Sequence, residues 1–229
     1  MNKKTCNKKT VIWLHTKAQS FIILKKKDLI IYGGFIMEHI FQVINKSKLD
    51  SPKRREILPV EDILKRTDIK KDDCVADVGC GIGYFTFPIE KLVGENGKVY
   101  AIDLQKEMLQ EIEDKIREHA IPNIYPVLSE AFDLKLESAA CSIVFLSTVL
   151  HEIGEKKKFL IEAKRILNIS GKIILIDWQK TRKDYGPPEE HRVSSEEAAE
   201  ILKEIGFEEV KIDNFNEYFY IIQATKNEV

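Results

Sequence analysis

The most constraining feature of the chain is a glycine-spaced turn between a short apolar run and an amphipathic segment. Cys74-Val75-Ala76-Asp77-Val78 reads as a strand, and Gly79-Cys80-Gly81-Ile82-Gly83 follows it directly, with a helix expected from about Tyr84 to Leu92. Glycines at that spacing let the backbone turn tightly and approach a ligand without Cβ clashes. The helix that follows offers unpaired N–H groups. Asp103 lies twenty residues beyond Gly83, at the end of a second apolar run from Lys98 to Asp103. An acid there can accept hydrogen bonds from both hydroxyls of a ribose.

The alternation continues to the C-terminus. Ser51-Pro52 opens a charged stretch, Leu58-Pro59-Val60 interrupts it, and a short helix is expected over Glu61 to Thr67. Leu104, Met108, Leu109, Ile112 and Ile116 recur at helical spacing. Ile124 to Leu128, Ser142 to Leu146 and Lys172 to Asp177 read as strands, with a helix carrying Phe159, Leu160, Ala163, Ile166 and Leu167 before the last of them. Ser194-Ser195-Glu196-Glu197 has the form of a capping box ahead of the stripe Ala198, Ile201, Leu202, Ile205, and Gly206 closes that helix. Phe207 to Ile212 and Tyr218 to Ala224 are expected as an antiparallel pair because their connection is short. Continuous apolar strands between amphipathic helices predict a mostly parallel sheet covered on both faces, in one domain over residues 37–229.

The first 36 residues differ from the rest. They carry eight Lys and one Asp, a charge of +7, against 28 basic and 36 acidic residues afterwards, a charge of −8; the sum is the formal −1 of the whole chain. They show neither helical periodicity nor a hairpin turn, and Gly33-Gly34 stands just before Met37. They are read as a disordered or non-native leader with Met37 as the true start. Mass analysis of the N-terminus of the native protein checks this, and an intact Met1 terminus ends the idea.

Near-zero net charge and the acidic main body give no pull toward nucleic acid or an anionic surface. No apolar run approaches the roughly 20 residues a membrane-crossing helix needs. The cysteines Cys6, Cys74, Cys80 and Cys141 form no CxxC and no metal-ligand spacing. They are expected to be free thiols in a reducing cytoplasm, with no metal bound.

The third glycine falls one place too early for a dinucleotide fingerprint, and Asp77 just before the loop suits a positive amino group rather than a phosphate. The segment Ala76 to Gly83 resembles the first motif of the class I S-adenosylmethionine-dependent methyltransferases. The resemblance runs from about Ser51 to the C-terminus. It is closest to the small-molecule enzymes of the ubiquinone/menaquinone-biosynthesis and arsenite-methyltransferase-like type. The features pointing there are Val149-Leu150-His151-Glu152, Ile176-Asp177-Trp178, and Gly186-Pro187-Pro188-Glu189-Glu190-His191-Arg192.

It implies a Rossmann-like α/β fold, a seven-stranded sheet of order 3-2-1-4-5-7-6 with the seventh strand antiparallel. It implies S-adenosylmethionine as cofactor, held by Asp77, Gly79, Cys80, Gly81, Gly83, Asp103, Leu104, Met108, Glu130, Ala131 and Ser147. Ser129-Glu130-Ala131 departs from the usual Gly-Asp-Ala.

The sulfonium already activates the methyl group, so an enzyme on this plan aligns the reactants and excludes water. It needs a base only when the acceptor loses a proton. His151 and Asp177 are the catalytic candidates, and Trp178, His191 and Arg192 the candidates for binding substrate. For each the plainer alternative is a packed or loop residue. The absence of an Asn/Asp-Pro-Pro-Tyr/Phe segment or a Pro-Cys nucleophile after the fourth strand argues against base or glutamine methylation. The scattered thiols argue against arsenite. A small-molecule acceptor is preferred, with an RNA or protein methyltransferase, a non-catalytic cofactor-binding module and a nucleotide oxidoreductase as alternatives. The oligomeric state stays open, a homodimer being one form.

Overall fold

The computed structural model describes residues 48–181 and 184–227, together with the strand backbones of residues 11–16, 19–24, 29–32 and 35–37. Cys6 and the Gly33-Gly34 pair lie outside the described residues.

The four N-terminal strands, β1 (Val11–Thr16), β2 (Gln19–Leu24), β3 (Leu29–Tyr32) and β4 (Phe35–Met37), form an antiparallel sheet of their own in chain order. Hairpin pairing here departs from the expectation of none. The runs are rich in Ile, Leu, Val and Phe, which favour strands, and the breaks between them are short enough for consecutive strands to pair. The β3–β4 ladder puts Ile30 opposite Met37, the proposed start.

The chain then turns into α1 (Pro52–Ile57), which Ser51 caps by accepting a hydrogen bond from the Arg54 N–H, with Pro52 at the first helical position. Sequence reading left this helix as a charged stretch, although serine followed by proline is a helix-start signature. The short α2 (Val60–Leu64) leads into β5 (Cys74–Val78), α3 (Thr86–Val93), β6 (Lys98–Asp103), α4 (Lys106–His119) and β7 (Ile124–Leu128). Then come β8 (Cys141–Ser147), α5 (Lys156–Ile166), β9 (Leu167–Trp178), α6 (Ser195–Glu204), β10 (Phe207–Asp213) and β11 (Phe219–Lys226). The Ser194 hydroxyl caps α6 at the Glu197 N–H, as the capping box predicts.

The second sheet has seven strands in the order β10-β11-β9-β8-β5-β6-β7. Read from the other edge this is 3-2-1-4-5-7-6. Strand β11 is antiparallel to both neighbours, and the pairs β5–β6, β5–β8, β6–β7 and β8–β9 are parallel. Strand β9 begins five residues before the expected Lys172 because Leu167 already pairs with Cys141, ahead of a register shift.

The period-2 alternation of side chains distributes the core to both faces. Val144 and Leu146 of β8 pack with Phe159, Leu160, Ala163 and Leu202 from α5 and α6. Ile143 and Phe145 pack with Ile63, Ile89, Leu109 and Ile112 from α2, α3 and α4. No helix lies between β7 and β8; residues 129–140 cross over as a loop. The C-terminal ends of β5, β6 and β8, with the loops that follow them, therefore meet at one rim, where an open parallel sheet receives its ligands. Among the described residues no helix is long and apolar enough to cross a membrane.

Candidate cofactor and acceptor site

The β5–α3 turn begins the site. Gly79, Gly81 and Gly83 all take positive φ, at 73°, 54° and 87°. At Gly79 an added Cβ would sit 2.4 Å from Cγ2 of Val149, so the loop and the segment after β8 approach in a way a side chain forbids. The Gly79 and Cys80 N–H groups both donate to the Ile102 carbonyl, tying the turn to β6.

Asp103, buried at the end of β6, faces this turn. One carboxylate oxygen accepts from the Gly81 N–H at 2.9 Å and the other from the Gln105 N–H at 2.9 Å. Burial raises its pKa against these hydrogen bonds, which favour the charged form. Each oxygen keeps lone-pair capacity for a further donor.

A cavity opens at the rim. Gly79, Gly81 and Asp103 form its polar floor; Leu104, Met108, Ala131, Leu134 and Phe159 give it an apolar side. Ser147, Thr148, Val149 and Glu152, after β8, close the far side, and Leu49 and Arg54 close it from the N-terminal segment. The Ser147 hydroxyl oxygen is buried and has no hydrogen-bond partner. A buried polar atom left without a partner is costly, and in a cavity wall it points to a ligand that completes it. A nucleoside bearing a cationic amino-acid tail fits this set: an apolar slot for the base, a carboxylate for the ribose and polar atoms at the far end.

Behind that wall lies a second arrangement. Asp177, fully buried at the end of β9, accepts from His151 Nδ1 at 2.8 Å, from the Trp178 N–H at 2.8 Å and from the His151 N–H at 3.1 Å. The proton on Nδ1 that this geometry requires leaves Nε2 as the acceptor of a neutral ring. Nε2 lies 3.9 Å from the Glu152 carboxylate, which is itself on the cavity wall. Burial opposes charging the imidazole, but Asp177 and Glu152 outweigh it, and the His151 pKa is raised.

The profile of a methyltransferase domain family matches residues 69–220. A solved structure of an S-adenosylmethionine-dependent methyltransferase from Aquifex aeolicus is 34% identical, with a TM-score of 0.76, covering 81% of this chain and 99% of that one. The chain belongs to the S-adenosylmethionine-dependent methyltransferase family. S-adenosylmethionine is the cofactor of this methyltransferase. Among curated proteins, it is similar to a demethylmenaquinone methyltransferase of Geobacillus sp. (strain WCH70), at 27% identity over 62% of each chain. It is also 27% identical to a ubiquinone/menaquinone biosynthesis C-methyltransferase of Proteus mirabilis, over 51% of this chain and 47% of that protein. The chain thus spans under two thirds of these curated relatives.

Within the methyltransferase, Gly79, Gly81, Asp103, Leu104, Met108, Glu130, Ala131 and Ser147, named as cofactor candidates from the sequence, line one cavity. Glu130 stands at the rim with its carboxylate paired to Lys135 at 3.0 Å. Three other expected cofactor residues lie apart. Gly83 lines a separate open groove with Tyr84, Phe87 and Lys115. The Cys80 side chain turns into the core beside Phe85 and Ile89, where burial pushes its thiol well above the usual range. Asp77 is sealed beneath the turn, accepting from the Thr86 hydroxyl at 2.6 Å, and burial pushes its pKa up to about 7.

The substrate candidates also have structural partners. Arg192 donates to the carbonyls of Tyr185, Pro187 and Gln179 and lies over the Trp178 ring, tying residues 184–192 back to the end of β9. Trp178 packs on Phe219 and Tyr185. His191 lies in a short 3-10 turn at the end of that loop and does not reach the cavity wall. Burial also pushes the Cys141 thiol up to about 12, and among the described residues no His, Cys, Asp and Glu cluster suits a metal. The cavity also takes in Arg54, Leu49 and Glu152, to which the sequence assigns no such place. The first two come from the unread α1 segment, and Glu152 from a loop whose direction no periodicity reveals.

Proposed function

We propose that this methyltransferase transfers the S-adenosylmethionine methyl group to a ring carbon of a small quinol-like acceptor. The observation that carries the reading is the buried His151–Asp177 pair set directly behind the cavity wall at Glu152. The two curated relatives support it, one a demethylmenaquinone methyltransferase and the other a ubiquinone/menaquinone biosynthesis C-methyltransferase. An electron-rich ring carbon attacks the methyl carbon in line. The carbon–sulfur bond breaks toward sulfur, and S-adenosylhomocysteine leaves. The ring or its hydroxyl loses one proton, and a base is required to take it.

Asp103 holds the ribose, and Leu104, Met108 and Ala131 bound the adenine. Glu152 and the His151–Asp177 pair receive the proton. Trp178 and the Arg192-pinned loop shape the acceptor side from behind. The domain is residues 37–229, acting in the cytoplasm.

Incubation with labelled S-adenosylmethionine and chemically reduced 1,4-naphthoquinols or benzoquinols of short side chain tests the reading. A product heavier by one methylene unit, formed with stoichiometric S-adenosylhomocysteine, is expected. Label appearing in RNA or protein fractions instead, with every quinol untouched, would overturn it, as would cofactor binding with no transfer at all.

A further inference from the structure

The turn that carries His151 and Glu152 starts from a strained residue. Thr148 has a φ of 58°. A β-branched side chain in the left-handed region is an outlier that its surroundings must enforce. Two bonds enforce it here. The Thr148 N–H donates to the Ile176 carbonyl of β9 at 2.8 Å, and the Thr148 hydroxyl accepts from Nη2 of Arg54 at 3.2 Å. Leu150–Glu152 form a single 3-10 turn two residues further on, so the direction in which His151 and Glu152 leave β8 is set at Thr148.

Arg54 reaches this turn from α1, 94 residues away along the chain. Its guanidinium lies 5.0 Å from the centre of the Tyr84 ring, whose hydroxyl donates to the Leu58 carbonyl at the C-terminal end of α1 at 2.8 Å. The arginine is thus fixed by its own helix before it meets Thr148. Burial works against its charge, and Tyr84, Tyr185, Asp50 and Glu152 work for it. Of the two carboxylates, Asp50 is held by Arg55, both its oxygens accepting at 2.7 Å. Glu152 shares the cavity wall with Arg54 and lies 3.9 Å from Nε2 of His151. Charge therefore alternates from group to group: the Arg54 cation, the Glu152 carboxylate, the His151 imidazole and the Asp177 carboxylate.

We propose that Arg54 is a positioning residue for methyl transfer: docked with α1, it fixes the turn from Thr148 to Glu152 and sets a cation against Glu152, so that the carboxylate is divided between Arg54 and His151. The packing of α1 thereby reaches the proton acceptor without touching it. The proposal rests on the reading of His151 and Glu152 as the group that takes the proton, and not on the identity of the acceptor molecule.

An NMR titration of the His151 ring, assigned by the loss of its signals in His151→Gln, tests this on the full chain with S-adenosylhomocysteine bound and no acceptor. Asp177 at the end of β9 and Glu152 on its own turn favour the charged ring, and Arg192 opposes it. In Arg54→Gln the imidazole is left as the cation that Glu152 faces, and the His151 midpoint should rise by about half a pH unit or more. Arg54→Met, which keeps the stem packed, carries the same expectation should the glutamine variant not fold. Arg54→Lys restores a cation and should stay within about 0.3 of the wild-type midpoint. In a Glu152→Gln background, Arg54→Gln should move the midpoint by less than about 0.2, because the carboxylate through which the arginine acts is gone. Thr148→Val keeps the β-branch and removes the accepting hydroxyl. It should speed amide exchange at His151 and Glu152 by about five-fold or more without opening the core strands. A midpoint that stays or falls in both uncharged Arg54 variants would overturn the proposal. An equal shift in the Glu152→Gln background would do so too, since the arginine would then act without the carboxylate. Methyl transfer at the wild-type rate by His151→Ala would strike the reading of the base itself, a result distinct from either.

Discussion

Replacing Asp103 with alanine is expected to weaken S-adenosylhomocysteine binding by about 100-fold or more and to lower the melting temperature. Two effects combine. The carboxylate is the group placed to accept the ribose hydroxyls, and hydrogen bonds to a charged group contribute about 1.5–3 kcal/mol each. It also satisfies the Gly81 and Gln105 N–H groups, and an amide left buried without a partner costs about 1–3 kcal/mol. Asp103→Asn separates the two. It keeps the shape and one carbonyl oxygen, and it removes a buried charge whose pKa is raised by burial. Because a raised carboxyl pKa means the native state holds the proton more tightly than the unfolded chain, the ionised group costs stability at neutral pH. The asparagine NH2 would face one of the two N–H donors, so the variant should recover only part of the melting temperature that Asp103→Ala loses while binding about ten-fold more weakly than the wild type. Wild-type affinity in both variants would remove Asp103 from the cofactor site.

The fold was legible because its signals are local. Ile124 to Leu128 and Lys98 to Asp103 are bounded by turn residues and are read residue for residue. The site was legible where a role resides in the backbone or at a strand end: Gly79, Gly81, Asp103 and Ser147 fall where strand polarity puts them. It was less so where a side chain had a choice. Asp77 alternates away from the rim, and a threonine nine residues later satisfies it from below, a contact visible only once α3 is docked. Cys80 sits between two glycines in the loop, yet its thiol turns to the core because small apolar groups are more stable there. Arg192 follows two prolines and has the form of a lid residue, yet the carbonyls of Gln179, Tyr185 and Pro187 need donors and the guanidinium supplies them. Arg54 was invisible because its meaning lies in a contact 94 residues distant along the chain, with Thr148.

Removal of the His151 imidazole, in His151→Ala, is expected to lower the rate of methyl transfer by about 10²–10⁴, the usual contribution of a positioned base, with S-adenosylhomocysteine affinity nearly unchanged. The pH dependence carries more information than the size of the loss. A base works in its neutral form, so kcat/KM should fall on the acid side of the His151 pKa. Asp177 and Glu152 hold that value above the ordinary 6.5 despite burial, so the acid limb should have its midpoint above 6.5. Asp177→Asn removes the charge and leaves burial to act alone, so the limb should move to lower pH as the rate drops. The asparagine NH2 would also face donors that now meet carboxylate oxygens, and a stability loss of about 1–3 kcal/mol should accompany the change. Linkage gives an independent reading of the same pair. Since the folded His151 pKa is raised, the stability this group contributes is fully present below the unfolded value and is lost as pH rises through the folded one. The Asp177 variant should show that pH dependence flattened. Glu152→Gln, which leaves the His151–Asp177 hydrogen bond intact, should lower the limb by less than Asp177→Asn. An acid limb that stays in place when Asp177 loses its charge would assign the proton transfer to another group.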